Sequence, residues 1–576
     1  MDYVLSVLSN MGLISFVALS AYLLLIVGQV SFGQQGFFAI GAYAAAVCTV
    51  VWELPLALAI LFAAVVAGIV GVLLGLPTLR MRGLYFAVGT LAFGEMVRLL
   101  LNVFVYQVEI DGELVGPAGA EGFRDIRYIF ENDISQLEFA LLIYGLLAVV
   151  VAALFFLEFT RLGSIFRMLG EDDLATSMQG VNVNAYRLLA VALAGLIAGI
   201  GGAMFSHFTT YLEPRNFSIM LGVHSLAYGL IGGLGTVFGP LIGVGIDIGL
   251  LESLRWLSSY RMIMFGGLVA VLLIFRHRGL LDEEAVHRLR LMWRRQPRSS
   301  AQAPRAGKIE PPAAADGAPL LVVEGLSKTF GGNRVLHDFS LTVPQGSAVG
   351  LIGPNGAGKT TIFNLLTGVT PPTEGRVWMR DQEITGWPTH KVVRVGLGRT
   401  FQNLRLFKRM TVFENVRAAQ HRLPGMPSWR LVIHDRKGER ARRARAHELL
   451  ELAGLADKAD VLAANLPLGD LRKLELARAM ARDPLLLLLD EPTGGMVPRE
   501  TEEMTRLLER VLASGMTVLL IEHKMDMVMG FCDHVVVLNF GEKICEGPPQ
   551  QVQADPVVIE AYMGSEADDV VAGQGA

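Results

Sequence analysis

Nine apolar runs follow one another between residues 4 and 275, and no lysine occurs anywhere before Lys308. The runs are Val4–Val30, Phe37–Val51, Leu56–Leu76, Leu84–Val105, Leu137–Phe159, Leu188–Ser206, His224–Leu234, Phe238–Leu251 and Met262–Phe275. A helix crosses the hydrocarbon of a bilayer with about 20 apolar residues, and in lipid a lone segment satisfies its own backbone only as a helix. The expectation is an α-helical membrane bundle of about seven to nine spanning segments. The second, seventh, eighth and ninth runs are short, which leaves room for re-entrant pieces. The first run has no basic residues before it and is too long for a cleavable leader.

Charge separates this part of the chain from the rest. Residues 1–275 hold 18 acidic and 11 basic side chains, against 54 and 50 in the whole chain. The chain therefore reads as a membrane half, 1–295, a linker, 296–319, and a soluble half, 320–576. Net charge is −4, and with no basic excess nucleic acid is not an expected partner. Cys48, Cys532 and Cys545 have neither metal-ligand nor disulfide spacing.

Arginine in short loops sets the orientation. Arg80 and Arg82, then Arg161, Arg167 and Arg187, then Arg276, Arg278, Arg288, Arg290, Arg294 and Arg295 mark inside segments. Residues 106–136 carry seven acids against Arg124 and Arg127, so they and 207–223 are expected outside, with the N-terminus. Small-xxx-small spacings at Gly71/Gly75, Gly195/Gly199, Gly239/Gly243 and Gly245/Gly249 predict close helix packing. Within the apolar runs Glu95 and Arg98 share a helix face, so a structural ion pair or a place on the solute pathway is expected of them. Asp247 has no partner nearby in sequence, so an interhelical bond or a place on the solute pathway is expected of it.

The soluble half opens with strand-like runs Leu320–Val323, Arg334–Val343 and Ser347–Ile352. Directly after the third comes Gly353-Pro354-Asn355-Gly356-Ala357-Gly358-Lys359-Thr360-Thr361, a G-x-x-x-x-G-K-T loop leading into a helix, Ile362–Leu366. Glycines let backbone N–H groups converge on phosphate oxygens, and the helix start adds partial positive charge. Lys359 is expected on the outer phosphates and Thr360 on Mg²⁺. Further on, Pro484 and a five-leucine run end in Asp490-Glu491-Pro492. This is the pattern of a buried parallel strand delivering two acids to a ligand end. Asp490 suits Mg²⁺, and Glu491 suits activation of an attacking water.

With these elements in this order, residues 320–564 resemble an ABC-transporter ATPase. The resemblance implies that Phe330 stacks on adenine. It implies that Gln402, in Gly398-Arg399-Thr400-Phe401-Gln402, senses Mg²⁺ and the membrane partner. His523, in Leu519-Leu520-Ile521-Glu522-His523, is implied as the switch histidine beside the γ-phosphate. It also implies ATP with Mg²⁺ as cofactors, bound by Phe330, Gly353, Asn355, Gly356, Gly358, Lys359, Thr360 and Thr361, with Gly469 from the signature helix. Metal contacts fall to Thr360, Gln402 and Asp490, catalysis to Glu491, His523 and Gln402. The signature departs from Leu-Ser-Gly-Gly-Gln: here it is Leu466-Pro467-Leu468-Gly469-Asp470, followed by a helix expected over Leu471–Arg482. Val497 likewise stands where Asp or Asn is usual.

Thr517–Met525 and Ala561-Tyr562-Met563-Gly564 are similar to the ATPase of branched-chain amino acid (Liv-type) importers. Gly28–Tyr43, Leu76–Gly83 and Gly232–Pro240 resemble signatures of the matching permease, so the two components are joined in one chain. Glu171–Val181 resembles the importer coupling helix, E-x-x-x-A-x-x-x-x-G, expected to seat near Gln402 of an ATPase. The resemblance implies ATP-driven import of branched-chain or related amino acids by a multi-pass protein of the bacterial inner membrane, its ATPase in the cytoplasm among membrane lipid. It implies a second permease, a second ABC ATPase and a periplasmic solute-binding protein as partners. Urea, amides and small carboxylates are alternative cargoes. An ABC exporter fits less well, because the inside loops are short, and a soluble ABC ATPase does not fit the apolar runs.

Overall fold

A computed structural model describes residues 2–81, 83–110, 112–250, 260–276, 278–293, 318–420 and 436–562. Arg82, Arg294, Arg295, most of the linker (296–317) and Met563-Gly564 lie outside the described residues. The chain forms two compact units, Met1–Glu171 with Val183–Ser299, and Asp172–Asn182 with Ser300–Ala576. Eleven residues from the middle of the membrane half thus belong to the second unit.

In the first unit, α1 (Asp2–Ile26), α2 (Gln34–Ala46), α3 (Leu56–Thr78), α4 (Leu84–Val103), a single turn α5 (Tyr128–Glu131), α6 (Gln136–Glu158), α7 (Arg161–Glu171) and, after the excursion 172–182, α9 (Val183–Thr209) follow in order. The helix inside the excursion, Asp173–Ser177, is α8. Shorter helices α10 (Ile219–Gly232), α11 (Phe238–Val244), α12 (Arg261–Phe275) and α13 (Glu283–Trp293) complete the unit. Among the described residues, six helices are long and apolar enough to cross a membrane. The second is among them because α2 begins at Gln34, ahead of its apolar run, and continues as a π-helical segment to Val51. The seventh to ninth apolar runs form the short helices Ile219–Gly232, Phe238–Gly249 and Ile263–Leu272.

The 27-residue α9 is the spine of this unit, packed by α1, α2 and α3. Its small residues make that possible. A methyl group at Gly202 would lie 2.0 Å from the Phe38 carbonyl oxygen of α2, and one at Gly195 2.5 Å from the Ala67 oxygen of α3. Gly71 and Gly75 of α3 face Val191 and Leu188 of α9 in return. Gly239 and Gly243 pack against Gly233 and Tyr228, whereas Gly245 meets nothing within 4 Å. Helices meet here backbone to backbone, the arrangement that small residues permit in lipid.

The loops sort into two ends. Phe123 and Leu212 exchange backbone hydrogen bonds (2.8 and 2.9 Å), which joins 106–136 to 207–223. At the other end, Glu158 accepts from Tyr22 Oη (3.1 Å) and from the Val237 N–H (2.6 Å), with Arg167 at 3.7 Å. Glu158 is a buried acid that the apolar run Leu137–Phe159 conceals in the sequence. Arg98 pairs with Glu95 through Nε at 2.9 Å, and Asp247 accepts from Tyr228 Oη at 2.7 Å, an interhelical bond.

In the second unit a six-stranded sheet runs β12-β11-β5-β10-β9-β8 and a four-stranded antiparallel sheet runs β4-β3-β6-β7. The smaller sheet contains β3 (Pro319–Phe330), β4 (Asn333–Pro344), β6 (Glu374–Met379) and β7 (Gln382–Glu383). The larger contains β5 (Ala348–Ile352), β8 (Leu397–Arg399), β9 (Leu486–Asp490), β10 (Thr517–Ile521), β11 (His534–Asn539) and β12 (Glu542–Gly547); β1 (Val108–Ile110) and β2 (Glu113–Val115) belong to the first unit. β9 is fully buried and lies between β10 and β8, parallel to both. Its leucines alternate, Leu486 and Leu488 into one hydrophobic core and Leu487 and Leu489 into another. Covering both faces is what an uninterrupted leucine run requires.

Candidate functional site

β5, buried along its length, ends at Ile352 and delivers the chain into the glycine loop. Gly353, Gly356 and Gly358 have φ of 150°, 79° and 101°. At Gly353 a methyl group would also lie 2.0 Å from the Leu538 carbonyl oxygen, so both backbone angle and space demand glycine. The following helix α14 (Lys359–Leu366) starts three residues earlier than its apolar stretch, with Gly358 at the N-cap. Asn355 and Thr360 are exposed and Thr361 is half-buried. Lys359 is buried, its Nζ donating to the Gly353 and Pro354 carbonyls at 2.6 and 2.9 Å. Burial lowers its pKa, while the charges of Glu491 and Asp490 act in the opposite sense.

Asp490 and Glu491 close β9 beside this loop. Asp490 is buried, and Oδ2 accepts from Arg399 Nη2 at 3.2 Å. Its Oδ1, also buried, has no hydrogen-bond partner among the described residues. Burial holds the Asp490 carboxyl above the usual aspartate range, against the pull of Arg399. A buried carboxylate oxygen without a donor fits a hard divalent cation, which prefers oxygen ligands. Glu491 adopts φ of 48°, a left-handed conformation uncommon outside glycine. Its N–H is tied to the Ile521 carbonyl at 2.9 Å. The side chain gathers two others at Oε1: Gln402 Nε2 donates at 3.0 Å, and His523 Nε2 lies at 3.0 Å. Glu522 braces the turn, Oε1 accepting from the Thr493 N–H and Oγ1.

The remaining predicted residues stand apart from this cluster. Phe330 ends β3, is 47% exposed, and has Lys328 Nζ 5.0 Å from its ring centroid. Gly469 is buried in the first turn of α15 (Leu468–Met480), where a methyl group would press on Glu500. The helix begins at Leu468 rather than Leu471, because Pro467 supplies an extended N-cap (φ −67°, ψ 161°) and its carbonyl accepts from the Leu471 N–H. Val497 caps α16 (Pro498–Ala513) and is exposed.

Residues 172–182 form the other face of the site. Asp172 caps α8, its Oδ1 accepting from the Ala175 N–H at 2.8 Å, while Oδ2 accepts from Arg405 Nη1 at 2.7 Å. Glu171 ends α7, so the acids at the start of α8 are Asp172 and Asp173. Gly180 turns the chain at φ 79°, and its carbonyl accepts from Arg394 Nη2 at 2.8 Å. The Gln179 carbonyl accepts from Arg482 Nη1 at 2.8 Å. Burial, then the neighbouring Arg394, brings Arg482 down to about 10. Leu174 and Met178 pack with Val369, Val393 and Phe401, the residue before Gln402.

Sequence reasoning overlooked the charges behind this face. Arg472 Nη1 and Nη2 donate to the Phe401 and Gln402 carbonyls at 2.8 Å each. Glu475, buried, accepts from the Arg405 N–H at 3.2 Å, and Arg478, also buried, donates to the Arg405 carbonyl. The available signal was the i, i+3 spacing of Arg472, Glu475 and Arg478 on the buried side of α15.

Residues 3–275 match the family model described as branched-chain amino acid transport system / permease component. Residues 336–494 match ABC transporter, and 542–568 match branched-chain amino acid ATP-binding cassette transporter. The chain is 43% identical over 256 residues to the high-affinity branched-chain amino acid transport ATP-binding protein BraF of Pseudomonas aeruginosa, covering 43% of this chain and 98% of that protein. To its counterpart LivG of Escherichia coli K12 it is 44% identical over 250 residues, with the same coverage. The lipopolysaccharide export system ATP-binding protein LptB of E. coli K12 is 34% identical over 246 residues, again 43% of this chain and 98% of that protein.

Proposed function

We propose that this chain, which belongs to the branched-chain amino acid ABC transporter family, couples ATP hydrolysis to amino acid import through its own residues 172–182. Permease and ATPase are one polypeptide, and the chain imports branched-chain amino acids at the expense of ATP. The ATPase half alone does not set cargo or direction, since it is similar both to branched-chain amino acid transport ATP-binding proteins and to a lipopolysaccharide export ATP-binding protein. Residues 3–275, with their permease match, favour branched-chain amino acids over urea, amides or small carboxylates and disfavour export. The observation that carries the coupling is that Asp172, Gly180 and Gln179, which flank α8 in the permease stretch, accept from Arg405, Arg394 and Arg482 of the ATPase unit.

In this reading the glycine loop, Lys359, Thr360 and Thr361 hold the phosphates of ATP and Phe330 its adenine. Thr360 and Asp490 hold Mg²⁺ with Gln402 beside it, and the ion supplies neutralisation of phosphate charge. Glu491 accepts the proton of the attacking water. Gln402 and His523, both on Glu491 Oε1, fix where that carboxylate points. The phosphate loop faces the signature helix of a second ABC ATPase, to which this chain contributes Gly469 in exchange. A second permease completes the pathway, and a periplasmic solute-binding protein delivers cargo to the end bearing 106–136 and 207–223. The setting is the bacterial inner membrane, with the ATPase unit in the cytoplasm.

The test is uptake of radiolabelled leucine into proteoliposomes holding this chain with its neighbouring subunits and binding protein. ATP-dependent uptake competed by isoleucine and valine is expected. ATP-dependent uptake of urea or a small carboxylate with none of leucine would replace the cargo.

A further inference from the structure

Between α8 and the end of β9 an unbroken series of side chains links Asp172 to Asp490. Asp172 Oδ2 accepts from Arg405 Nη1 at 2.7 Å. The Arg405 guanidinium lies over the Phe401 ring, 5.4 Å from its centroid, and Arg399 lies over the same ring at 4.7 Å. Arg399 Nη2 then donates to Asp490 Oδ2 at 3.2 Å. Met178 of the excursion also packs on Phe401. The backbone around these groups is pinned: Arg472 holds the Phe401 and Gln402 carbonyls, and Glu475 and Arg478 hold residue 405 at its N–H and carbonyl. Arg399 is buried and further fixed by Asn364 Oδ1 at 2.8 Å and Thr367 Oγ1 at 2.9 Å.

These contacts differ in kind. The ends are charge-assisted hydrogen bonds, which are directional and strong. The middle is a ring that two guanidinium groups both approach, an attraction that depends on the aromatic face and not on bulk alone. Asp490 commits Oδ2 to Arg399 and keeps Oδ1 without a donor among the described residues. The pose of Arg399 therefore decides which carboxylate oxygen is presented.

We infer that Arg399, Phe401 and Arg405 are positioning residues that set the metal-binding pose of Asp490 according to how α8 is seated. The inference rests on the reading of Asp490 as a metal ligand. A seated α8 holds Arg405, Arg405 and Met178 hold the Phe401 ring, and the ring holds Arg399 against Oδ2. Displacing α8 loosens Arg399 and weakens the cation site. By reciprocity of binding free energies, cation and nucleotide at the site favour the seated α8 to the same degree.

The decisive variant is Asp172→Asn. Asparagine caps a helix as well as aspartate, so α8 keeps its start while Arg405 loses its carboxylate partner. The readout is Mn²⁺ affinity, followed by the electron paramagnetic resonance of free Mn²⁺ with a non-hydrolysable ATP analogue, on the full chain in detergent. Asp172→Asn is expected to weaken Mn²⁺ by about two- to thirtyfold, the range typical of substitutions along a coupled network. In a Phe401→Leu background it is expected to add nothing further. If residue 172 merely tethers α8, transport falls while Mn²⁺ affinity stays at the wild-type value, and the inference is overturned. Additive effects of the two substitutions overturn it as well. A wild-type chain that binds no Mn²⁺ with nucleotide removes the cation site and the relay together, whereas an unchanged Asp172→Asn removes the relay alone.

Discussion

Glu491→Gln isolates one chemical step. In the native site Oε1 meets both Gln402 Nε2 and His523 Nε2 at 3.0 Å. A glutamine can turn its carbonyl oxygen to the same place and keep both neighbours, and the φ of 48° is a property of the backbone that the substitution leaves alone. Lys359 and the glycine loop are untouched. What is lost is the proton acceptor, and general-base catalysis contributes about 10²- to 10⁴-fold. At about 1.4 kcal/mol per factor of ten, that is about 3 to 5 kcal/mol of barrier. ATP affinity should hold or rise, because a charge repelling the γ-phosphate is gone. The assay is single-turnover hydrolysis of γ-labelled ATP, with nucleotide affinity by fluorescence titration on the same sample. A second competent site on a partner ATPase would sustain steady-state turnover, so the single-turnover amplitude from this chain's own site is the quantity to follow. Loss of binding in step with hydrolysis, or hydrolysis within about fivefold of wild type when about 10²-fold or more is expected, would refute the assignment of Glu491 as the base.

Other expectations follow from the same geometry. Cysteine at Asn132 should react with an impermeant thiol reagent only from outside and cysteine at Asn184 only from inside, both positions being exposed, whereas Gly119 and Thr176 are buried and make poor reporters; labelling of both from one side would overturn the orientation. In that experiment Cys532 should stay unmodified at pH 8: burial pushes its thiol up to about 12, so the reactive thiolate grows only as pH rises toward that value, and ready alkylation at pH 8 would contradict this. Gly202→Ala, with its methyl 2.0 Å from a backbone oxygen, should cost about 1–3 kcal/mol by overpacking, seen as a lower Tm in detergent, while Gly145→Ala, in open space within α6, should stabilise by about 0.5–1 kcal/mol; equal effects would discount the α2–α9 contact. A lone preparation of this chain should show little ATPase stimulation by binding protein, because Pro467 stands in place of the signature serine and only one permease is supplied. Full stimulated transport by the purified single chain would show instead that it assembles with itself.

Periodicity and spacing made much of this molecule legible. Apolar length gave the membrane helices, and Gly353–Thr361 with the leucine run before Asp490-Glu491 gave a glycine turn and a buried strand end, because glycines at fixed steps and an uninterrupted apolar run are both legible in sequence. Helix starts were harder to read. Gln34 and Lys359 begin helices ahead of their apolar stretches, since capping and glycine turns, not hydropathy, set those boundaries. Arg399, Glu475 and Arg478 were passed over for another reason. A buried charge looks like a surface charge in sequence until its partner, here Asp490 or the backbone at 405, is known. Glu158 failed in the same way, its partners lying at Tyr22 and Val237.

The seating of α8 within its own chain alters what the groove must achieve. When the two components are separate proteins, the groove must capture α8 from dilute solution, and affinity alone decides how often the pair is engaged. On one polypeptide the encounter becomes intramolecular, at an effective concentration near the millimolar range for a short tether. The 25 residues from 294 to 318 reach at most about 90 Å at about 3.6 Å each. A groove that would be too weak to hold a free partner is then still occupied most of the time. On the proposed coupling, Arg394, Arg405 and Arg482 would then be released from the task of recognition, and their geometry would answer to timing instead.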